Sequence, residues 1–266
     1  MPRFRSDDAE LAYEIVGNGP PVVLLHPFPV DHEFWNPIVP ALNARYRLIL
    51  PDLRGHGDSD IGQGPALMEK HARDLSQLLD EVGESKATFV GVSIGGYILF
   101  EFWRRFRNRV NALVICDSRP QPDTAEARAN RLKAAAEVLE QGTGPFLEGM
   151  IPKLMGRTTL GNRPDLVDGA RRMMTKMSPE DINLVQRGMA ERPDSVADLK
   201  TINVPTLILI GGEDILSTPA DGELMRQHVS GSQLKIIPKA GHYAPWEQPE
   251  AVGLVLRQFL DGAHSR

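Results

Sequence analysis

Ala87-Thr88-Phe89-Val90-Gly91-Val92-Ser93-Ile94-Gly95-Gly96-Tyr97-Ile98-Leu99-Phe100 is the stretch on which the fold turns. Thr88 to Val92 is an apolar, β-branched run that reads as a buried strand, and Ile94 to Arg107 reads as a helix with basic residues at its C-terminal end. Ser93 stands at the switch, inside a G-x-S-x-G pattern. A sharp strand-to-helix turn holds such a side chain clear of the sheet on a strained backbone. Gly91 and Gly95 remove Cβ atoms that would collide as the two elements pass. The helix aims its first N–H groups at the serine, so the Ile94 amide is placed to meet a developing oxyanion. The plainer role for Ser93 is that of a helix cap.

Outward from this turn, Arg47 to Leu50 and Val110 to Cys116 read as further strands, nearly unbroken in apolar character, as strands covered on both faces are. Leu11 to Val16, Gly17-Asn18-Gly19-Pro20 and Val22 to Leu25 read as two adjacent strands joined by a tight turn. Ala66 to Val82 reads as an amphipathic helix. Residues 119–199 differ: few β-branched runs, helices expected over Thr124 to Gln141, Pro145 to Met155, Arg163 to Lys176 and Pro179 to Met189, and six of the nine methionines. Those methionines either fill gaps between short helices or wall a deformable pocket. The strand–helix rhythm returns with Val204 to Ile210, Pro219 to Val229, Leu234 to Ile237 and Pro249 to Leu260, before a tail, Gly262 to Arg266, expected to fray. Residues 1–118 and 200–266 thus read as one doubly wound α/β body and 119–199 as an inserted helical cap.

The 266 residues, 41% of them hydrophobic, suffice to bury a core of roughly 73% of the unfolded surface without a staple. A net charge of -5 argues against a nucleic-acid binder relying on phosphate attraction. The longest uncharged stretch, Ala87 to Phe100, is 14 residues with three glycines, too short for a bilayer. The single cysteine, Cys116, forms no internal disulfide, and the N-terminus turns acidic where a signal peptide becomes apolar. These features lead us to expect a cytoplasmic protein with neither membrane nor nucleic acid as partner.

A serine nucleophile needs a base, and the base needs an orienting acid. His242 lies in the loop Pro238-Lys239-Ala240-Gly241-His242-Tyr243-Ala244-Pro245 after the last strand; His71, His228 and His264 lie in helices or the tail. Asp214 follows the strand ending Leu209-Ile210, and Asp117 follows the strand ending in Cys116, so either acid can reach the sheet edge; Asp214 is favoured. Neither H-E-x-x-H, a cysteine cluster, G-x-G-x-x-G nor a P-loop occurs, so no metal and no cofactor is expected.

Together these segments resemble the α/β-hydrolase superfamily, in particular its lid-bearing esterase, enol-lactonase and cofactor-free haloperoxidase branch. The nucleophile–acid–base order Ser93, Asp214, His242 is the order of that family. His26-Pro27-Phe28-Pro29 is similar to its oxyanion loop, and Asp52-Leu53-Arg54-Gly55-His56-Gly57-Asp58-Ser59 to its Asp-x-Arg-Gly-x-Gly-x-Ser segment. The resemblance implies a mostly parallel eight-stranded sheet with helices on both faces. It also implies a Ser93–His242–Asp214 triad and an oxyanion hole of the Phe28 and Ile94 amides, with His26 and His56 structural. Pro27 stands where glycine is common; it has no N–H, so the donor must be residue 28. Epoxide hydrolases and haloalkane dehalogenases carry an aspartate at the elbow, which Ser93 is not.

The implied activity is hydrolysis of carboxylic esters or lactones of small, largely apolar molecules through an acyl-enzyme. The alternatives are a 3-oxoadipate enol-lactonase-like hydrolase, a cofactor-free perhydrolase or haloperoxidase, and a non-catalytic binding protein. Trp35, Arg119, Met150 and Met173 are the pocket candidates, Trp35 reading equally well as core. The cap carries 12 basic and 12 acidic residues, so its composition gives no net pull on an acidic substrate, although Arg119 alone could clamp a carboxylate.

Overall fold

The computed structural model describes residues 1–264. In chain order the elements are β1 (Arg3–Ser6), β2 (Ala9–Val16), β3 (Pro21–Leu25), α1 (Val39–Leu42), β4 (Arg47–Pro51), α2 (Met68–Glu81), β5 (Ala87–Val92), α3 (Ile94–Phe106) and β6 (Val110–Cys116). Six helices follow: α4 (Ala125–Gln141), α5 (Thr143–Leu154), α6 (Arg157–Asn162), α7 (Pro164–Met174), α8 (Pro179–Ala190) and α9 (Val196–Leu199). The chain then forms β7 (Thr206–Gly211), α10 (Pro219–His228), β8 (Gln233–Ile237), α11 (Ala244–Glu247) and α12 (Pro249–His264).

The eight strands form one sheet in the order β1-β2-β4-β3-β5-β6-β7-β8. The β1–β2 and β2–β4 pairs are antiparallel and the rest parallel. This is an α/β-hydrolase fold. Every residue of β5 and β7 is buried, which is why both read as unbroken apolar runs, whereas the edge strand β8 exposes Gln233 and Lys235 and so blunts its free side.

The structure departs from the sequence reading in four places. The strands on either side of Gly17-Asn18-Gly19-Pro20 are not paired: β4 lies between β2 and β3. Gly17, at φ +82°, turns against the chain entering β4, and a Cβ there would lie 2.3 Å from the Asn43 carbonyl oxygen. The turn therefore makes room for β4 rather than closing a hairpin. Second, β1 was not expected; its four residues alternate exposed arginines with buried Phe4 and Ser6, too short a run to show a period. Third, α1, α6, α9 and α11, four to six residues long, are likewise below the reach of helical periodicity. Fourth, Gly262 to His264 continue α12, and His264 Nε2 lies 3.3 Å from the Thr88 hydroxyl; Ser265 and Arg266 are outside the described residues.

One buried ion pair ties β1 and α2 to the loop after β4. The Arg54 side chain, fully shielded from water, donates from Nε and Nη2 to both Asp74 oxygens at 2.7 and 2.9 Å, from Nη1 to Asp8 at 2.7 Å and from Nη2 to the Ser6 carbonyl at 3.1 Å. Removing one partner strands the other charge in the interior. Arg54→Ala is expected to destabilise the protein by about 3–5 kcal/mol in urea unfolding; a loss under about 1 kcal/mol would show that water reaches Asp74.

Candidate active site

The turn between β5 and α3 carries Ser93 at φ +55°, a left-handed conformation that costs a non-glycine residue on the order of 1–3 kcal/mol. Four hydrogen bonds hold it there. Its N–H donates to the Cys116 carbonyl at 3.0 Å, and its own carbonyl accepts from Gly96 N (2.9 Å), Tyr97 N (3.2 Å) and the Ser118 hydroxyl (2.9 Å). A Cβ on Gly91 would lie 2.6 Å from the Gly95 backbone and one on Gly95 2.9 Å from the Leu25 carbonyl oxygen, so strand and helix can approach this closely only without side chains. Ile94 is the first residue of α3, and its N–H is one of those a helix start leaves without an internal acceptor.

His242 lies in the loop between β8 and α11, and its Nδ1 is 2.8 Å from Asp214 Oδ2. Both side chains are almost wholly buried. Asp214 Oδ1 accepts from the amides of Leu216 (2.7 Å) and Ser217 (3.1 Å). A carboxylate so placed offers only acceptors, so His242 Nδ1 donates and Nε2 keeps its lone pair. Ser93 and His242 border the same cavity, and among the described residues the Ser93 hydroxyl has no hydrogen-bond partner. Such hydrogen bonds are often long until a substrate tightens them.

The alternative acid, Asp117, has other partners. Asp117 accepts from Gly211 N at 2.6 Å and from Ala244 N at 3.2 Å, which ties β6 to β7 and α11 and leaves neither oxygen on His242. Burial, aided by the nearby Asp214 charge, pushes its carboxyl pKa well above the ordinary value. Glu213 points away into the insert, accepting from Thr158 N at 2.8 Å and from the Thr158 hydroxyl at 2.6 Å.

The loop after β3 brings Phe28 to the same cavity. His26 Nε2 accepts from Leu53 N at 3.0 Å, so its Nδ1 carries the proton to the Pro27 carbonyl at 2.9 Å. Complete burial pushes the His26 pKa down to about 3, which keeps the ring neutral, and these two hydrogen bonds select the tautomer. His56 Nδ1 contacts the Arg54 carbonyl, and Asp52 accepts from His32 and from the Asp58 amide, so the Asp52–Ser59 segment braces the loop from behind.

The cavity measures about 480 Å³ and is lined, besides Ser93, Phe28 and His242, by residues of α4, α5 and α8. Met150 and Arg119 line it; Trp35 and Met173 do not. Trp35 is fully buried, edge-on to Phe34 at 5.4 Å, because the Asp31-capped 3-10 turn His32–Trp35 directs it into the core. Met173 is buried on the inner side of α7, which packs on that turn. The pocket assignments of Trp35 and Met173 are therefore corrected to core packing.

Two positioning residues escaped the sequence reading. The Tyr243 hydroxyl donates to the Phe28 carbonyl at 2.9 Å, linking the His242 loop to the Phe28 loop. Buried Glu247 accepts from Gly241 N and Gly156 N, both at 2.8 Å, so it joins that loop to the insert. Among the described residues no group of three or more His, Cys, Asp or Glu could hold a metal ion, and no helix is long and apolar enough to cross a membrane.

A family model described as alpha/beta hydrolase fold matches residues 20–249. The chain belongs to the α/β-hydrolase family. Among solved α/β hydrolases, a thermophilic esterase from Thermogutta terrifontis, solved with malate bound, is 39% identical. That match covers 99% of this chain and 100% of that one, with a TM-score of 0.96. The enol-lactonase from Burkholderia xenovorans LB400 is 25% identical over 98% of this chain and 100% of that one, with a TM-score of 0.91. In sequence, 3-oxoadipate enol-lactonase 2 of Acinetobacter baylyi is 26% identical over 260 residues, 96% of each chain. These relatives support a hydrolase of this family acting on small molecules.

Proposed function

We propose that this α/β hydrolase cleaves carboxylic esters or lactones through an acyl-enzyme on Ser93. The observation that carries this reading is the strained Ser93 bordering one cavity with a His242 whose Nδ1 is held by Asp214. His242 Nε2 takes the hydroxyl proton as Ser93 Oγ attacks the carbonyl carbon. Negative charge collects on the carbonyl oxygen, where the Phe28 and Ile94 amides would donate to it; one such donor is worth about 3 kcal/mol in the transition state. Protonated His242 passes its proton to the departing alkoxide, which leaves as the alcohol, or stays tethered when the substrate is a lactone. Water, deprotonated by His242, then attacks the acyl carbon, and Ser93 Oγ leaves as it takes that proton back from His242, releasing the acid and restoring the starting state. Asp214 holds the ring orientation and stabilises the imidazolium throughout. Relatives named esterase and enol-lactonase are consistent with both substrate forms.

The purified protein is expected to hydrolyse 4-nitrophenyl acetate far above the buffer rate, read as 4-nitrophenolate release. Release no faster than buffer, together with undiminished binding of the ester, would instead identify a non-catalytic binding protein.

A further inference from the structure

Glycine gives up more backbone freedom than alanine on entering a helix, so inside one it weakens the helix unless something else requires it. Most helical glycines among the described residues meet such a requirement. A Cβ on Gly169 of α7 would lie 2.6 Å from the Trp246 ring, one on Gly222 of α10 2.8 Å from the Ile210 side chain, and one on Gly253 of α12 2.9 Å from Ala41. On Gly188 of α8 it would run into the Ala66 carbonyl, and Gly95 and Gly96, at the start of α3, are packed against Leu25 and Ser118. Gly144, Gly161 and Gly262 have open space around them, but each lies in the first or last turn of its helix, where helices fray.

Gly149 fits neither group. It is the seventh of the twelve residues of α5, a Cβ on it would meet no atom within 4 Å, and its φ lies outside the left-handed region. Neither close packing nor backbone conformation calls for glycine there. What the missing side chain leaves free is space at the cavity. Pro145, Phe146, Gly149, Met150 and Lys153 share one face of α5 and line the cavity that Ser93 and His242 border. Half-buried Phe146 packs edge-on to Phe28 at 6.0 Å, and half-buried Met150 follows one turn on, so this face is apolar beside the Phe28 loop. Gly149, with Pro145 and Lys153 a turn to either side, lines the cavity and is exposed to solvent at the same time. A residue that does both stands at the mouth. Half-buried Ala127 and exposed Asn130 of α4 line the cavity too, which puts the mouth between α4 and α5.

We propose that Gly149 is a specificity-determining residue: lacking a side chain, it keeps this mouth wide enough for an alkyl chain of the substrate to project past it, away from the ester group at Ser93. The substrate class becomes an ester whose chain is longer than the cavity encloses. A side chain at position 149 would occupy the space that chain needs, whereas a substrate with short groups on both sides of the ester stays within the cavity and does not meet it. The inference rests on the hydrolase reading for its chemistry, though not for binding.

The test takes two ratios of kcat/KM: 4-nitrophenyl octanoate over 4-nitrophenyl acetate, which differ in the acyl chain, and octyl acetate over methyl acetate, which differ in the alcohol. Gly149→Leu should lower one of them about tenfold, mainly through KM, and Gly149→Ala should lower the same one by less. A fall in the first ratio assigns the mouth to the acyl chain and a fall in the second to the alcohol; using ratios from one sample removes any common loss from folding. Gly149→Ala should at the same time raise Tm by about 2 °C, because alanine suits the helix better. A variant that is more stable yet discriminates against the long ester separates a specificity role from a structural one. Methyl octanoate binding to Ser93→Ala, measured by calorimetry and weakened by adding Gly149→Leu, supports the proposal even if no ester is turned over, a result that would sink only the hydrolase reading. No fall in either ratio, a lower Tm in Gly149→Ala, or, where no ester is turned over, methyl octanoate binding that Gly149→Leu leaves unchanged would each overturn the proposal.

Discussion

Ser93→Ala is expected to lower kcat for ester hydrolysis by about a million-fold while leaving the fold intact. The variant removes one oxygen, and with it the atom proposed to form the acyl bond. The Phe28 and Ile94 amides and the cavity remain, so a small rate above the uncatalysed reaction should persist, as is usual when a nucleophile is lost but the hole stays. Stability should not fall. The hydroxyl has no hydrogen-bond partner among the described residues, and the strained φ of +55° is held by the backbone of Ser93, which alanine shares. Steady-state turnover of 4-nitrophenyl acetate checks the rate, and thermal unfolding checks the fold. A loss of less than about tenfold would move the chemistry to another residue.

Asp214→Asn should lower kcat about ten-thousand-fold at neutral pH, with KM changed far less. In the wild-type protein the Asp214 carboxylate offers only acceptor oxygens, so His242 presents Nδ1–H to it and keeps the Nε2 lone pair for the proposed uptake of the serine proton. The side-chain amide introduced by the substitution would keep its oxygen on the Leu216 and Ser217 amides, whose 2.7 and 3.1 Å hydrogen bonds need an acceptor. Its NH₂ group then faces His242 Nδ1, which must become the acceptor, and the proton moves to Nε2, where it blocks uptake of the serine proton. Asp117 offers no rescue, since both its oxygens are taken up by Gly211 and Ala244. Parallel kinetics of Asp214→Asn and Asp117→Asn check this. A larger loss of kcat in Asp117→Asn, with the fold preserved, would reverse the assignment of the acid.

What could be read from the sequence was what repeats or what punctuates. β5 and β7 throughout, and β6 apart from the exposed Asn111, are buried and so appear as nearly continuous apolar runs. Ser93, Asp214 and His242 each lie in the turn or loop that follows a strand, after β5, β7 and β8, so they could be picked out as a set. The β2–β3 turn misled because its glycines signal a tight turn without saying that a third strand would enter beside it.

The remainder depended on contacts that leave no local trace. Glu247 acts on the amides of Gly241 and Gly156, residues of no distinctive chemistry, one of them 91 positions away. Trp35 follows the Phe28 loop closely in sequence, but the 3-10 turn rotates it into the core. A charge count over residues 119–199 gave zero because it averages exposed pairs, such as Arg163 with Asp165, with the cations that face the cavity. Which charges face inward is a property of helix orientation, and composition carries none of it.

The most direct test of the acyl-enzyme on Ser93 is trapping with an alkyl phosphonofluoridate, which forms a serine O–P bond as fluoride leaves and mimics the tetrahedral intermediate. Intact mass should show one adduct per chain, peptide mapping should place it on Ser93, and Ser93→Ala should stay unlabelled. Equal labelling of Ser93→Ala, or an unmodified wild-type protein that still hydrolyses esters, would contradict the account.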